Sequence, residues 1–198
     1  MLGIFLDTET NGLNPNRHKI IEIAYKILDV NTAELQADFQ AVILHSKEDW
    51  EKSDPESLKI NGFTWDELSH GDAKEEVASR IVVQFQQLGI KRGGAVFICQ
   101  NPSFDRAYFS QLIDVDTQEK LFWPYHWLDL ASMYWARTID QAKFDPKWLP
   151  WKTGLSKDKI AAACHLPPEN KPHRAINGVN HLILCYEAIV GFPQCTAN

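Results

Sequence analysis

The spacing of apolar residues near the start of the chain predicts strands. Residues 2–6 (LGIFL) form a short apolar run, which is typical of a buried strand. In residues 19–30 (KIIEIAYKILDV) apolar side chains recur at every second position, and a turn at Asn31 and Thr32 leads to a third strand near 38–45. The chain therefore opens with a predicted antiparallel meander of three strands.

The sequence after residue 45 predicts several helices and further strands. Apolar residues at helical spacing predict a helix over 73–88, and the continuous apolar run 95–99 (AVFIC) predicts a fully buried strand. The remaining predicted elements are short surface helices within 46–72, a helix from Pro102, a strand or helix near Asp129, a helix over 155–166 capped by Ser156, and a final helix over 174–190. This order favours one α/β domain over 1–198 with a mixed sheet.

Composition excludes several classes of protein. Among the 198 residues, 44% are hydrophobic and 23% are charged, as in ordinary globular proteins. No apolar run is long enough to span a membrane, and the N-terminal MLGIFLDTET lacks the basic region of a signal peptide. The four cysteines are scattered without a CxxC pair, which favours free thiols in the cytoplasm. The formal net charge of −6 argues against tight, extended binding of nucleic-acid backbone.

Several polar residues stand where chemistry is plausible. Asp7 and Glu9 lie two apart at a predicted strand end, so their carboxylates share a face and repel each other unless a divalent cation lies between them. The alternative interpretation is that both residues are solvated acids of a turn. Asp105 falls in the first turn of a predicted helix, where the helix dipole alone favours an acid. His173 precedes the last helix and is either a general base or a surface histidine.

The order of motifs is more specific than any single residue. The chain contains, in sequence, FLDTETNGL, IIEIAYKI, NGFTWDEL, VFICQNPSFDRAYF, WLDLASMYWA, LSKDKIAAACHLP and PHRAINGV. This series resembles the DnaQ-like 3′–5′ exonucleases, the DEDD group with a histidine in its last motif (DEDDh). The resemblance covers about residues 2–190. It implies a ribonuclease H-like fold, with a five-stranded mixed sheet flanked by helices.

The resemblance also implies a mechanism. Asp7, Glu9 and Asp105 match the acids that hold two divalent cations, Mg²⁺ or Mn²⁺, and His173 matches the general base. The implied reaction is hydrolysis of the terminal phosphodiester at the 3′ end of single-stranded DNA or RNA. One sequence does not decide between DNA and RNA.

Residues that match substrate-binding positions of the family have alternative roles. They are Thr8, Thr10, Leu13, Asn101 and Phe104. By resemblance, the backbone at the two threonines cradles the terminal nucleotide, and the other three lie near its base and sugar. Turn capping explains Thr10 and Asn101 equally well, and core packing explains Leu13 and Phe104.

The last motif departs from the family pattern, because Gly178 stands where an aspartate is usual. Asn177 and Asn180 carry oxygens, but they point about 100° and 200° away on the helix. A water molecule, or an acid such as Asp129 or Glu187, is a second way to complete the site. The third alternative is a catalytically impaired member that binds nucleic-acid ends or a partner protein.

Two features bear on assembly and role. The tryptophan-rich stretches 122–127 and 147–151 either form an exposed patch for a homodimer or belong to the core. The chain stops at Asn198, without the C-terminal extension that tethers proofreading subunits to a polymerase, so we expect a stand-alone role.

Overall fold

A computed structural model describes residues 1–145, 147 and 149–194. Trp148 of the second tryptophan-rich stretch and Cys195 lie outside the described residues. The strands are β1 (Leu2–Thr10), β2 (Ile20–Asp29), β3 (Leu35–Val42), β4 (Ala95–Cys99) and β5 (Trp127–Asp129). The helices of the described residues are α1 (Lys47–Glu51), α2 (Pro55–Asn61), α3 (Trp65–Ser69), α4 (Lys74–Gln87), α5 (Pro102–Leu112), α6 (Val115–Lys120), α7 (Leu130–Ala142), α8 (Pro150–Thr153), α9 (Lys157–Ala163) and α10 (Ala175–Ile189).

The strands form one five-stranded mixed sheet in the order β3-β2-β1-β4-β5. The first three strands pair antiparallel, which confirms the predicted meander. Strand β4 runs parallel to β1, and β5 runs parallel to β4. Strand β1 is therefore central, but β4 pairs with it only from Leu2 to Phe5, so the last residues of β1 extend beyond β4 and pair with β2 alone.

Helices cover both faces of this sheet, and the alternation along β1 assigns each side chain to a face. Ile4 and Leu6 pack in a core with residues of α4 and α5. Phe5 packs on the other face, in a core with residues of α7, α9 and α10. Because side chains alternate along a strand, Asp7 and Glu9 face α9 and α10, whereas Thr8 faces α5.

The structure adjusts several predicted elements. Strand β3 begins at Leu35, three residues before the predicted start, because the turn after Asp29 is short. The segment near Asp129 is both strand and helix, since β5 ends there and α7 begins at the next residue. The segment 46–72 contains α1, α2 and α3 rather than one or two short helices. Within the described residues, no helix is long and apolar enough to cross a membrane.

Candidate active site

The two acids of the first motif lie near the C-terminal end of β1. Asp7 pairs with Ala24 and Glu9 pairs with Glu22 across the antiparallel ladder to β2. The side chain of Asp7 is only 14% exposed. The strand thus holds two carboxylates on one face, as the sequence predicts, and brings a third, that of Glu22, close to Glu9.

Asp105 approaches from the opposite side of the sheet. It lies in the first turn of α5, directly after β4, and it is only 4% exposed. The hydroxyl of Thr8 donates a hydrogen bond of 3.0 Å to its Oδ1. Since Thr8 lies between the two acids of β1, this bond ties the N-terminus of α5 to the acidic end of the strand.

A lysine lies among these acids. Lys157 is the first residue of α9, and its ammonium Nζ is 3.1 Å from Asp7 Oδ1 and 3.1 Å from Glu169 Oε2. The lysine side chain is 13% exposed and that of Glu169 is 2% exposed. Burial lowers the pKa of Lys157, but the two carboxylates outweigh it and raise the pKa above its ordinary value. The side chain is therefore a fixed positive charge.

Glu169 links this lysine to the candidate base. Its Oε1 lies 3.2 Å from Nδ1 of His173, and its Oε2 lies 3.7 Å from Nδ1 of His181. The backbone N–H of Glu169 donates to Oδ1 of Asp158, which fixes the proline-rich loop against α9. The carboxylate thus contacts one ammonium and two imidazoles.

Gly178 packs directly against the first acid. A methyl group added at this glycine would lie 2.1 Å from Asp7 Oδ2 and 2.8 Å from Lys157 Nζ. Real side chains do not approach so closely. The position therefore accepts only glycine while Asp7 and Lys157 keep this arrangement.

The N-terminus of α10 is fixed by acids from other elements. Glu22 is 1% exposed, and its carboxylate accepts hydrogen bonds of 2.7 Å from the backbone N–H of Ala175 and of 2.7 Å from Gln40 Nε2. Arg174 pairs with Glu67 at 2.6 Å and covers the ring of Phe63. These contacts hold the segment that carries both His173 and Gly178.

The chain matches a family model described as an exonuclease, over residues 4–180. The chain belongs to this exonuclease family. Among curated proteins, none matches it in sequence.

Solved structures share the fold of this exonuclease-family chain. Cell-death related nuclease 4 (CRN-4) superposes with a TM-score of 0.73 at 16% identity, over 97% of this chain and 65% of that one. The nuclease domain of 3′hExo, a DEDDh family member solved with rAMP, gives 0.65 at 14% identity, over 97% and 92%. E. coli exonuclease I, solved with a dT13 oligonucleotide, gives 0.67 at 15% identity, over 95% and 41%. The fold is the ribonuclease H-like one. The chain spans less than two thirds of CRN-4 and of exonuclease I.

The acids of this family member have shifted pKa values. Burial, followed by the negative charges of Asp7 and Glu22, raises the pKa of Glu9 to about 8. Burial and the charge of Asp7 raise the pKa of Asp105 to about 8, although the hydrogen bond from Thr8 opposes the shift. The pKa of Asp7 is also raised, mainly by burial, against the effect of Lys157. The site is thus short of positive charge even with the lysine present.

The donors of the site have the chemistry that binds divalent cations. Carboxylate oxygens are the ligands of Mg²⁺ and Mn²⁺, and Mg²⁺ is often held by one or two carboxylates together with substrate phosphates. Asp7, Glu9 and Asp105 fit such an ion by their chemistry. Among the described residues, no three His, Cys, Asp or Glu side chains are arranged to hold a metal ion by themselves. At position 178 the glycine offers no side-chain ligand, and Lys157 places a positive charge beside Asp7.

The structure places the predicted substrate residues in two groups. Thr8 and Thr10 are buried, and their hydroxyls donate to Asp105 and to the carbonyl of Gly12, so their side chains are engaged internally. Leu13 is 72% exposed and Asn101 is exposed. Phe104 is half-buried and contacts the ring of Tyr108. Exposed polar and apolar groups thus stand near the ends of β1 and β4.

The structure shows the surroundings of each residue considered as a replacement for the missing acid. Asp129 caps α7 by accepting from the N–H of Ala131, and Glu187 is exposed on α10. Asn177 and Asn180 line a small cavity of about 130 Å³ beside the proline-rich loop. In place of an added ligand, the carboxylate of Asp7 fills the space in front of Gly178.

Sequence reasoning missed Lys157, Glu169 and Glu22. Lys157 and Asp7 are 150 residues apart, and no short-range pattern connects them. One signal was available for Glu169, because it precedes His173 by four residues in a segment otherwise rich in proline. Glu22 interrupts the apolar run of β2, and a buried acid in a strand predicts a partner.

Proposed function

We propose that this chain is a 3′–5′ exonuclease that depends on a divalent cation, Mg²⁺ or Mn²⁺, and hydrolyses the terminal phosphodiester of single-stranded DNA or RNA. The observation that carries the proposal is that β1 presents Asp7 and Glu9 on one face of the central strand while Thr8, between them, bonds Asp105, in a member of the exonuclease family. When bound, a divalent cation would activate a water molecule and stabilise charge on the leaving oxygen.

In this proposal His173 accepts the proton of the attacking water. Oε1 of Glu169 lies 3.2 Å from its Nδ1, in a contact that does not meet hydrogen-bond geometry but can orient the ring, and the proposal assigns the role of base to Nε2. The side chain is 29% exposed, which leaves the ring accessible to solvent. Glu169 is then a positioning residue, since it acts through the imidazole.

The proposed substrate lies along the ends of β1 and β4. The exposed side chain of Leu13 and the half-buried ring of Phe104 offer apolar surface for a terminal base, and Asn101 offers an amide for its sugar. The backbone of Thr8 and Thr10 runs beside the carboxylates and is proposed to cradle the last nucleotide. Solved relatives of the fold are described with single-stranded DNA, with rAMP and with an RNA stem-loop, so both nucleic acids remain candidate substrates.

A second candidate function is favoured by one observation. The position of the usual fourth acid is a glycine, and a lysine contacts the first acid in its place. A chain that holds too little metal to hydrolyse its substrate would still present the surface of Leu13 and Phe104. It would then bind nucleic-acid ends, or a partner protein, without cleaving them.

The deciding experiment is hydrolysis of 3′- and 5′-end-labelled single-stranded DNA and RNA, with Mg²⁺, with Mn²⁺ and with EDTA. We expect stepwise shortening from the 3′ end that needs the metal and falls at least about 100-fold in Asp7→Ala. Asp38→Ala is the matched control, because Asp38 is an exposed acid of β3 in the same sheet. End binding without cleavage by the unaltered chain would instead support the second candidate.

Location and assembly complete the proposal. Cys99, Cys164 and Cys185 are free thiols, which suits the reducing cytoplasm. Of the first tryptophan-rich stretch, Trp123 is buried, whereas Phe122 and Tyr125 are more than half exposed. We keep a homodimer through these exposed rings as a proposal, and light scattering of the purified chain would give its mass.

A further inference from the structure

The ammonium of Lys157 is surrounded by carboxylates, as a bound metal cation would be. Its ammonium lies between two carboxylates on different elements, 3.1 Å from Asp7 on β1 and 3.1 Å from Glu169 in the proline-rich loop. All three side chains are largely buried. A buried carboxylate is costly without a positive partner, so a cation at this point stabilises both carboxylates.

A side chain at position 178 would compete for space with this ion pair. The position of a side chain at Gly178 overlaps the space of Asp7 Oδ2, at 2.1 Å, and lies 2.8 Å from Lys157 Nζ. An aspartate at position 178 would therefore collide with Asp7 and crowd the lysine. The glycine at position 178 and the lysine at position 157 therefore depend on each other, because an aspartate at 178 would occupy the space of the ion pair between Lys157 and Asp7.

We propose that the ammonium of Lys157 takes the place of one of two divalent cations, so that the chain holds one ion fewer than the four-acid arrangement would. This inference rests on the proposed function, because it concerns the same site. The lysine supplies a permanent positive charge beside Asp7, and Gly178 makes the space for it. Asp7, Glu9 and Asp105 are then the candidate ligands of the remaining divalent ion, together with phosphate oxygens of the substrate.

A purely structural ion pair is the competing explanation, and it makes a different prediction. If Lys157 only fastens α9 to β1, its removal loosens the fold and creates no affinity for metal. If it stands in for an ion, its removal exposes the carboxylates of Asp7 and Glu169 to a divalent cation. The number of bound ions therefore separates the two explanations without any measurement of activity.

The test counts Mn²⁺ bound to the full chain, without nucleic acid, by calorimetric titration and by the electron paramagnetic resonance signal of free Mn²⁺. We expect Lys157→Ala to bind one more Mn²⁺ than the unaltered chain. Lys157→Arg keeps the positive charge and should show no gain. Lys159→Ala is the matched control, because Lys159 is an exposed lysine on the same helix.

Thermal unfolding gives a second readout on the same samples. Mn²⁺ at about a hundredfold excess over its Kd should raise the Tm of Lys157→Ala by about 5 °C or more beyond its effect on the unaltered chain. Equal Mn²⁺ numbers for folded Lys157→Ala and the unaltered chain overturn the proposal. Two Mn²⁺ on the unaltered chain also overturn it, and that measurement stands even if no Lys157 variant folds.

The experiments can contradict the proposed function and the proposed role of Lys157 independently of each other. A chain that shortens labelled DNA or RNA but binds two Mn²⁺ retains the proposed function and loses this inference. A chain that gains one Mn²⁺ in Lys157→Ala but never shortens a substrate retains this inference and loses the proposed function.

Discussion

Gly178 shows how one residue can decide the chemistry of a site through its lack of a side chain. Its Cα faces the carboxylate of Asp7, and any added carbon would lie 2.1 Å from Oδ2. The glycine is helical, within α10, so backbone conformation alone does not require it. Space is the only reason for glycine here.

Gly178→Ala should therefore destabilise the fold, although alanine normally favours a helix. We expect the free energy of unfolding to fall by about 1–3 kcal/mol, because Asp7 and Lys157 must move from their ion pair. Urea unfolding followed by circular dichroism measures it.

Gly94→Ala is the matched control for this substitution. An added carbon at Gly94 meets its nearest neighbour, the carbonyl of Lys91, at 3.6 Å, which is ordinary contact. We expect a change within about 0.5 kcal/mol there. A Gly178→Ala chain as stable as the control would show that Asp7 moves at no cost.

At the residue scale, the sequence predicts acids better than it predicts their partners. Asp7, Glu9, Asp105 and His173 stand in local motifs, so their chemistry can be inferred without a structure, although their roles await experiment. The contact of Lys157 with Asp7 depends on where α9 packs against the sheet. Such long-range packing leaves no periodic signal in the chain.

At the scale of elements, α10 depends on a buried acid from the sheet. Arg174 occupies the N-cap position of the helix, but its side chain makes no capping hydrogen bond. The carboxylate of Glu22 on β2 accepts from the N–H of Ala175 instead, at 2.7 Å. A negative group at a helix N-terminus is stabilised by the helix dipole as well as by this bond.

Glu22→Gln should weaken this connection. The amide keeps the shape of the carboxylate but loses its charge. Its NH₂ group cannot accept the hydrogen bonds that the carboxylate accepts, so we expect the free energy of unfolding to fall by about 1–3 kcal/mol. The substitution should also reduce hydrolysis, because α10 begins beside His173. Urea unfolding and the end-labelled assay measure the two effects.

Glu187→Gln is the control, since Glu187 is exposed on the same helix. It should leave both stability and hydrolysis nearly unchanged. If Glu22→Gln behaves like Glu187→Gln, the cap does not hold the helix in place.

Elements were predictable where their apolar spacing is regular. Helices α4 and α10 and strand β4 follow their predicted ranges closely, because their buried residues keep one period throughout. The junction of β5 and α7 was ambiguous, since one short apolar segment serves first as strand and then as helix. The early start of β3 was missed because Leu35 and Gln36 are exposed and lack alternation.

At the scale of the whole molecule, His45 gives global stability a dependence on pH. Its Nε2 lies 2.6 Å from the carbonyl of Ile20, as a neutral ring that donates there would. Burial lowers the pKa of His45 from its ordinary value of 6.5. The nearby charges of Lys19 and Lys74 also lower it, while the carbonyl and Asp49 oppose the shift.

Because this pKa is depressed, the unfolded chain binds more protons than the folded chain below pH 6.5. The contribution of His45 to stability is therefore full above pH 6.5 and is lost as the pH falls through the folded-state pKa. We expect the unfolding free energy of the unaltered chain to decline over this range more steeply than that of His45→Gln.

Urea unfolding of both chains at a series of pH values between about 5 and 8 measures this difference. The two curves should run parallel above pH 7, where the ring is neutral in both states. Curves that stay parallel down to pH 5 would show that His45 titrates alike in the folded and unfolded chains.

The whole fold was within reach of the sequence, because motif order implied a known sheet topology and the structure has that topology. The same resemblance implied a site with a fourth acid, and there this chain differs. A family pattern conveys the shared arrangement, whereas the contact of Lys157 with Asp7 depends on how α9 packs in this chain.

The contact of Gly178 with the Lys157–Asp7 pair has a consequence for how such a sequence can change over generations. A chain that regains an acid at position 178 while it keeps the lysine is overcrowded, and one that loses the lysine first leaves Asp7 and Glu169 without their countercharge. We expect either single step to pass through an impaired intermediate. Sequences related to this chain should therefore change positions 157 and 178 together, and a comparison of such sequences would test it.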